Sequence, residues 1–341
     1  MSRIIHVREE FGGRTLDAGL RAWMKGEGPT TSLVKTRRIM LNGNICTDGS
    51  CELRVGDVVK VLDYPQSAPP TISDVVVRYL DDHLAVVEKP AGMTTMRYGN
   101  EVSASGRRDR LPTLLDLLPT VIAHKLASSG PPKSNKPAPH GRPRPAAERR
   151  QAQKPMIRPV HRLDRDTSGL MVFARSIPAE ESLTQMFRDH AYERIYTAIV
   201  AGDVSQQTIE SLLADDRGDG RRGSVADEAV GKRAVTHVRP VEQVHDWTVV
   251  ECRLETGRTH QIRIHLAESG HPLCGDRDYR GPMGVKPAAD RSGAPRLALH
   301  AGGLSFRHPV TSKPLSFQAA LPKDLSDFLK RLRRESKKTD A

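Results

Sequence analysis

Apolar and polar positions alternate along the chain in a few strongly marked segments. Leu170 to Ala174 is an uninterrupted apolar run between Gly169 and Arg175, the pattern of a strand buried on both faces. "SIPAEESLTQMFRDH" follows, with Pro178 early and Leu183, Met186 and Phe187 at helical spacing, which predicts a helix whose apolar side serves the core. Leu84 to Val87 reads as another strand, running into a Lys89-Pro90-Ala91-Gly92 turn. Further on, "WTVVECRLE" predicts a strand that stops at Thr256-Gly257. A helix is then expected from about Thr259 to Gly270, with Ile262 and Leu266 on its buried side and His260 and Arg263 together on one face.

Ahead of these, "SLVKTRRIMLNG" predicts a short basic helix carrying Leu33, Arg37, Arg38 and Met40, closed by Gly43. The turn signals "NGN", "DGS" and "VGD" then separate short apolar runs, and Val58, Val59 and Val61 form a last strand. Composition divides the chain into residues 1–64, a Pro-rich linker at 65–75, a large unit at 76–329 and a basic tail at 330–341. Within the large unit, residues 123–159 are rich in Pro, Ala, Lys and Arg and nearly free of large apolar side chains. Such a segment buries too little surface to offset its ordering entropy, so it reads as a disordered basic insertion.

Of the 341 residues 37% are apolar, enough for a core, yet no stretch is long and apolar enough to span a membrane. "MSRIIHVREE" lacks the apolar segment of a secretory signal, so a cytoplasmic protein is the default. The cysteines, Cys46, Cys51, Cys252 and Cys274, are scattered with no CxxC pair, and are expected to be ordinary reduced residues. The net charge of +12 favours a polyanionic partner, nucleic acid before membrane. A basic helix leading into a small strand-and-turn unit suits RNA, although charge alone fits a solvated helix face equally well.

The chemistry concentrates in "HRLDRDTSG", residues 161–169, a loop feeding the Leu170 strand. A serine hydrolase would place its nucleophile in a G-x-S-x-G turn between strand and helix, and Ser168 precedes a strand instead. A metal site would need more ligands than His161 and Asp164. Asp166 and Thr167 fit a structural turn that caps backbone amides. The remaining reading is one catalytic carboxylate supported by a cation from the "GRTHQIR" stretch. Spacing alone does not separate that from a surface salt bridge.

In order, "HRLDRDTSGL", "ERIYTAIVAG", "GKRAVTHVRPVE", "TGRTHQIRIHLAESGHPLCGD" and "RLALHAGGLSFRHPVTSKPLSF" resemble the RNA pseudouridine synthases of the RluA-type family, which modify ribosomal and transfer RNA. "TLDAGLRAWM" and "LNGNICTDGSCELRVGDVV" are similar to the S4-type RNA-binding domain carried by the large-subunit branch of that family. The resemblance implies an α+β fold: a mixed, largely antiparallel central sheet with flanking helices, plus a small S4-like domain. It implies that Asp164 is the catalytic aspartate and that Arg263 pairs with it. Tyr196 would stack on the target base and help remove its C5 proton, and Arg162 would fill the gap left when the uridine flips out. His161, Arg258 and His260 would lie on the substrate side, and Arg37 and Arg38 would touch RNA. Arg165 stands where a lysine is commoner, and the hairpin from Ala214 to His237 matches the family only loosely.

In the implied reaction uracil leaves C1′ through N1, turns, and rejoins through C5. No redox or phosphoryl step occurs, so neither a metal nor a nucleotide cofactor is expected. The carboxylate either adds to C1′ or takes the C2′ proton, and the sequence leaves both open. A lone carboxylate in a water-poor pocket would take up a proton, hence the partner arginine from a separate element. Extracting the base from its stack costs about a few kcal/mol, which an aromatic platform and an inserted side chain offset in part. The expected partner is RNA, 23S-type ribosomal RNA first and transfer RNA second, with no membrane; the sequence leaves open whether the protein is a monomer. The rival expectation is a non-catalytic RNA-binding or ribosome-assembly factor on the same fold.

Overall fold

A computed structural model of the chain describes residues 3–24, 30–42, 44–62, 69–97, 112–128, 156–218, 220–287 and 289–339. They divide into two compact units that part between Pro69 and Pro70.

The first unit holds strands β1 (Arg3–His6), β2 (Ile39–Leu41), β3 (Asn44–Ile45) and β4 (Val58–Val61), with helices α1 (Leu16–Trp23) and α2 (Thr30–Lys35). The strands pair in the order β1-β4-β2-β3. Leu16, Leu20, Ile39, Leu53 and Val59 are fully buried between helix and sheet residues of one core. Thr15 starts α1 by accepting the Ala18 N–H on its hydroxyl at 3.3 Å. The basic helix differs from expectation. It stops at Lys35, Arg37 turns the chain at φ 57°, and Arg38 donates from Nε to the Leu62 carbonyl at 2.8 Å. Met40 lies in β2 because Ile39 buries its branched side chain in the sheet core, which outweighs a helical continuation. Gly43 lies outside the described residues. Cys46 and Cys51 are not scattered: both are free, and their sulfurs lie 2.9 Å apart.

The second unit is built on one large sheet. Its strands are β5 (Val76–Leu80), β6 (Leu84–Lys89), β7 (Arg158–Pro159), β8 (Ser168–Ala174), β9 (Tyr192–Ala201) and β10 (Gln207–Ala214). β11 (Gly223–Val225), β12 (Lys232–Val244), β13 (Trp247–Leu254), β14 (Leu299–Arg307) and β15 (Pro314–Gln318) complete it. The order is β11-β10-β12-β13-β9-β14-β8-β6-β5, with β15 added to β14 and β7 to β8. Among the described residues every pairing is antiparallel except that of β8 with β14. Helices α3 (Leu114–Ser128), α4 (Ile177–Arg188), α5 (Gln261–Glu268) and α6 (Lys323–Thr339) complete the α+β arrangement.

β8 is buried along its whole length, in keeping with its unbroken apolar run. Its second residue is Gly169, whose φ of 128° suits glycine alone, and any Cβ there would overlap the Ala301 backbone of β14. Ser176 caps α4 and Leu183 is fully buried, while Met186 and Phe187 pack partly buried against the same core.

Three expectations need correction. α3 runs to Ser128 and β7 begins at Arg158, so both ends of the supposed 123–159 insertion are regular structure. Val121 and Ile122 are buried in α3 just before the composition turns polar. Residues 129–155, on which the rest of that expectation falls, lie outside the described residues. The basic tail is likewise helical as far as Thr339, because Leu325, Phe328, Leu329 and Leu332 recur at helical spacing and are buried. Finally, α5 begins at Gln261, and Gln261 to Ala267 are all buried, not merely the Ile262 and Leu266 side.

Candidate active site

The loop 161–167 is held on both sides of Asp164. Lys89, at the end of β6, is 1% exposed. Its ammonium donates to the carbonyls of Pro90 at 3.1 Å, Met93 at 2.8 Å and Arg165 at 3.0 Å. The Gly92 N–H donates to the same Arg165 carbonyl at 2.8 Å. On the other side, the Thr95 hydroxyl donates to the Leu163 carbonyl at 2.9 Å. Burial pushes the Lys89 pKa down to about 7, against the pull of the Asp166 and Asp164 carboxylates. Sequence reasoning read Lys89 only as part of a turn; a lysine closing an apolar strand was the available signal.

Asp164 opens into a cleft lined also by Arg162, Tyr196, Arg258, His260, Arg263 and Arg194. The elements that deliver them are the loop before β8, the strand β9, and the β13–α5 junction. The Asp164 side chain is 18% exposed, and its Oδ1 lies 3.8 Å from Nε2 of His260. His260 is not helical: it sits just before α5 in the left-handed region, φ 59°. The shared helical face expected for His260 and Arg263 is therefore absent, yet both side chains reach the cleft.

Arg263 departs most from expectation. It donates from Nε and Nη2 to the two carboxylate oxygens of Asp276, at 2.7 and 2.8 Å, and from Nη2 to Asp278 at 2.8 Å. Among the described residues its ion pairs are with these two, not with Asp164. Although burial works against its charge, the Asp276 carboxylate raises its pKa, and Asp164 adds to that only through space. A buried guanidinium needs the full bidentate partner, which the aspartate 13 residues further on, in "GDRDY", supplies better than the loop of Asp164.

Tyr196 is 4% exposed, and burial raises its pKa, with Arg194 opposing. The phenol thus keeps its proton. Arg194, which sequence reasoning missed, is also buried and lies 4.7 Å over the Tyr192 ring. Phe187 stacks on Tyr192 at 4.2 Å, and His161 stacks on Phe187 at 4.7 Å. His161 is thereby turned out of the cleft. Its Nε2 accepts the Val172 N–H at 3.1 Å, burial takes its pKa to about 3, and it is not among the residues that line the cleft.

Arg162 and Arg258 are exposed at the cleft, and Arg258 donates from Nε to the Arg233 carbonyl at 3.1 Å. Arg37 and Arg38 belong to the first unit. Ser168 does meet a histidine, His300 Nδ1 at 2.9 Å, but both are buried and His300 Nε2 faces the Ala319 carbonyl, so no hydrolytic dyad exists there. Among the described residues no His, Cys, Asp and Glu cluster could hold a metal.

A family model described as RNA pseudouridylate synthase matches residues 83–268. The chain is 36% identical over 273 residues to the ribosomal large subunit pseudouridine synthase D of Zymomonas mobilis, spanning 80% of this chain and 77% of that protein. It is 33% identical over 306 residues to the uncharacterized RNA pseudouridine synthase YlyB of Bacillus subtilis, 88% of each. The solved structure of human RNA pseudouridylate synthase domain containing 4 shares the fold, with a TM-score of 0.55 at 22% identity over 76% of this chain and 93% of that one. The chain belongs to the RNA pseudouridylate synthase family. It is an RNA pseudouridine synthase, an isomerase.

Proposed function

We propose that the chain isomerises uridines of large-subunit ribosomal RNA, with Asp164 as the reacting carboxylate. The observation that carries this reading is the convergence of Asp164 and Arg162 from one loop, Tyr196 from β9 and Arg263 from α5 on one cleft. The relative from Zymomonas mobilis, which by its name acts on the large ribosomal subunit, supports the choice of RNA.

In this mechanism Asp164 acts on the sugar of a flipped uridine. The N1–C1′ bond breaks, its electron pair leaving with the base, while the carboxylate adds to C1′ or removes the C2′ proton. The base turns and C5 bonds to C1′ as the carboxylate leaves C1′, or as it returns the proton to C2′; C5 then loses its proton and N1 gains one. Tyr196 forms the surface under the base, and burial raises the pKa of its phenol. Arg162, exposed at the rim, fills the vacated stack. Arg263, held charged by Asp276 and Asp278, acts on Asp164 only through space across the cleft.

The first unit, S4-like in sequence, serves as a sequence-tolerant RNA grip, with Arg37 and Arg38 against phosphates. Binding then weakens with salt by a slope of about −0.7 per single-strand phosphate neutralised. The test is incubation with ribosomal and transfer RNA, followed by carbodiimide-dependent mapping of reverse-transcriptase stops. New stops on large-subunit RNA are expected. Stops on transfer RNA alone would move the substrate, and none on any RNA would favour a binding factor.

A further inference from the structure

Tyr279 follows Asp276 and Asp278 in the loop that grips Arg263. It is 6% exposed and lies under the Arg263 guanidinium, 4.8 Å from ring centre to carbon. Its hydroxyl is 2.8 Å from Nδ1 of His260. The other nitrogen of that imidazole, Nε2, is the one 3.8 Å from Asp164. One ring thus bridges a buried phenol and the proposed reacting carboxylate. His260 reaches this position only through left-handed backbone, which a non-glycine residue adopts at a cost.

The contact with Tyr279 bears on where the imidazole carries its proton. Among the described residues His260 Nδ1 is the acceptor within reach of the Tyr279 hydroxyl. The phenol therefore donates to Nδ1, which must carry a lone pair. In a neutral imidazole the proton then sits on Nε2, facing Asp164. The opposite tautomer would set two lone pairs against each other at Asp164 and orphan a buried phenolic proton. The charged groups facing His260 are Asp164, Arg263, Asp278 and Arg222. Burial outweighs them and lowers the pKa of His260, which favours the neutral ring at neutral pH.

We propose that Tyr279 is a positioning residue for the isomerisation: it holds His260 in the Nε2–H tautomer, whose N–H orients the Asp164 carboxylate. The proposal rests on the reading of Asp164 given above. At 3.8 Å the N–H reaches Oδ1 through one water or through a small closure on substrate binding. Fixing Oδ1 leaves Oδ2 to face the sugar. Asp276 supports the arrangement by accepting the backbone N–H groups of Asp278 and Tyr279 at 2.9 and 3.0 Å while gripping Arg263. The short stretch Asp276 to Tyr279 so places both the arginine and the histidine of the cleft.

The test uses the full-length protein labelled with 15N, with His260 ring signals assigned by their loss in His260→Gln. In the wild type at pH 7.5, Nε2 is expected to be protonated and Nδ1 bare. Tyr279→Phe is expected to mix or invert the tautomers and to lower kcat about 10- to 100-fold, the value of the His260 hydrogen bond to the charged Asp164 that is then lost, with RNA affinity unchanged. A wild-type ring carrying its proton on Nδ1, or on both nitrogens, overturns the proposal even if the Phe variant does not fold. So does a Phe variant with changed tautomers and full kcat, or one whose kcat falls while the His260 signals stay as they were. Full activity of Tyr279→Phe beside an inactive Asp164→Asn overturns this proposal alone; an active Asp164→Asn overturns the reading of Asp164 and this proposal with it.

Discussion

Arg263 and Asp276 form a bidentate pair, 2.7 and 2.8 Å, in which the carboxylate side chain is wholly buried and the guanidinium 9% exposed. The pair is a support for the cleft, and removing one partner strands the other. Asp276→Asn keeps the size but halves the acceptor, and the exposed Asp278 remains to help. We expect a loss of about 3 kcal/mol in unfolding free energy, the low end for breaking a buried pair. Urea denaturation measures it, and a variant as stable as the wild type would show that Asp278 alone suffices.

Asp164→Asn is nearly isosteric and leaves the loop's backbone anchors at Leu163 and Arg165 in place. Turnover is expected to fall by about 1,000-fold or more while RNA binding survives. Single-turnover assays beside filter binding separate the two quantities. Equal losses in both would make Asp164 a binding group.

Lys89→Met keeps the apolar stem and removes the donor to three carbonyls. Relief of the desolvated charge offsets part of the penalty, so we expect a net cost of about 2–3 kcal/mol from the orphaned oxygens. Because one of those carbonyls belongs to Arg165, beside Asp164, kcat is expected to fall as well. Denaturant midpoints and turnover on the same preparation check both. A variant with normal stability and normal turnover would mean the loop holds itself.

His265 and His300 are 1% and 2% exposed, and burial brings both pKa values down to about 4. In the unfolded chain a histidine titrates near 6.5, as a rough reference value. The folded value lies below the unfolded one, so the stabilisation is fully present above the unfolded pKa and is lost as pH falls toward 4. Between pH 7 and pH 5 each ring accounts for about 2 kcal/mol. Urea titrations at the two pH values are expected to show the drop. A constant midpoint would mean that these rings take up protons inside the fold.

The large strands and helices were legible because their apolar spacing reports burial directly. The unbroken run Leu170–Ala174 became β8, buried throughout, and the capping serine with Pro178 opened α4. The errors fell where a local pattern competes with tertiary contact. Arg37 and Arg38 continue a plausible helix in sequence, but burying Ile39 in a sheet outweighs it. The polar end of α3 and the basic end of α6 look unstructured by composition, yet a few apolar side chains at helical spacing hold each in place.

The sequence by itself determined which residues bring chemistry. "HRLDRDTSG" and "GRTHQIR" mark a carboxylate on a loop, with basic and imidazole groups at a strand–helix junction. Residue types and local spacing are enough for that, because they follow from backbone geometry within one element. Only the tertiary structure decided which charge meets which. It gave Arg263 to Asp276, turned His161 into the Phe187 stack, brought Lys89 under the Asp164 loop and set Tyr279 behind His260. Those pairings depend on how distant loops approach once the sheet is formed, and on the cost of leaving a buried polar group unpaired. Neither quantity is written in the spacing of any single segment.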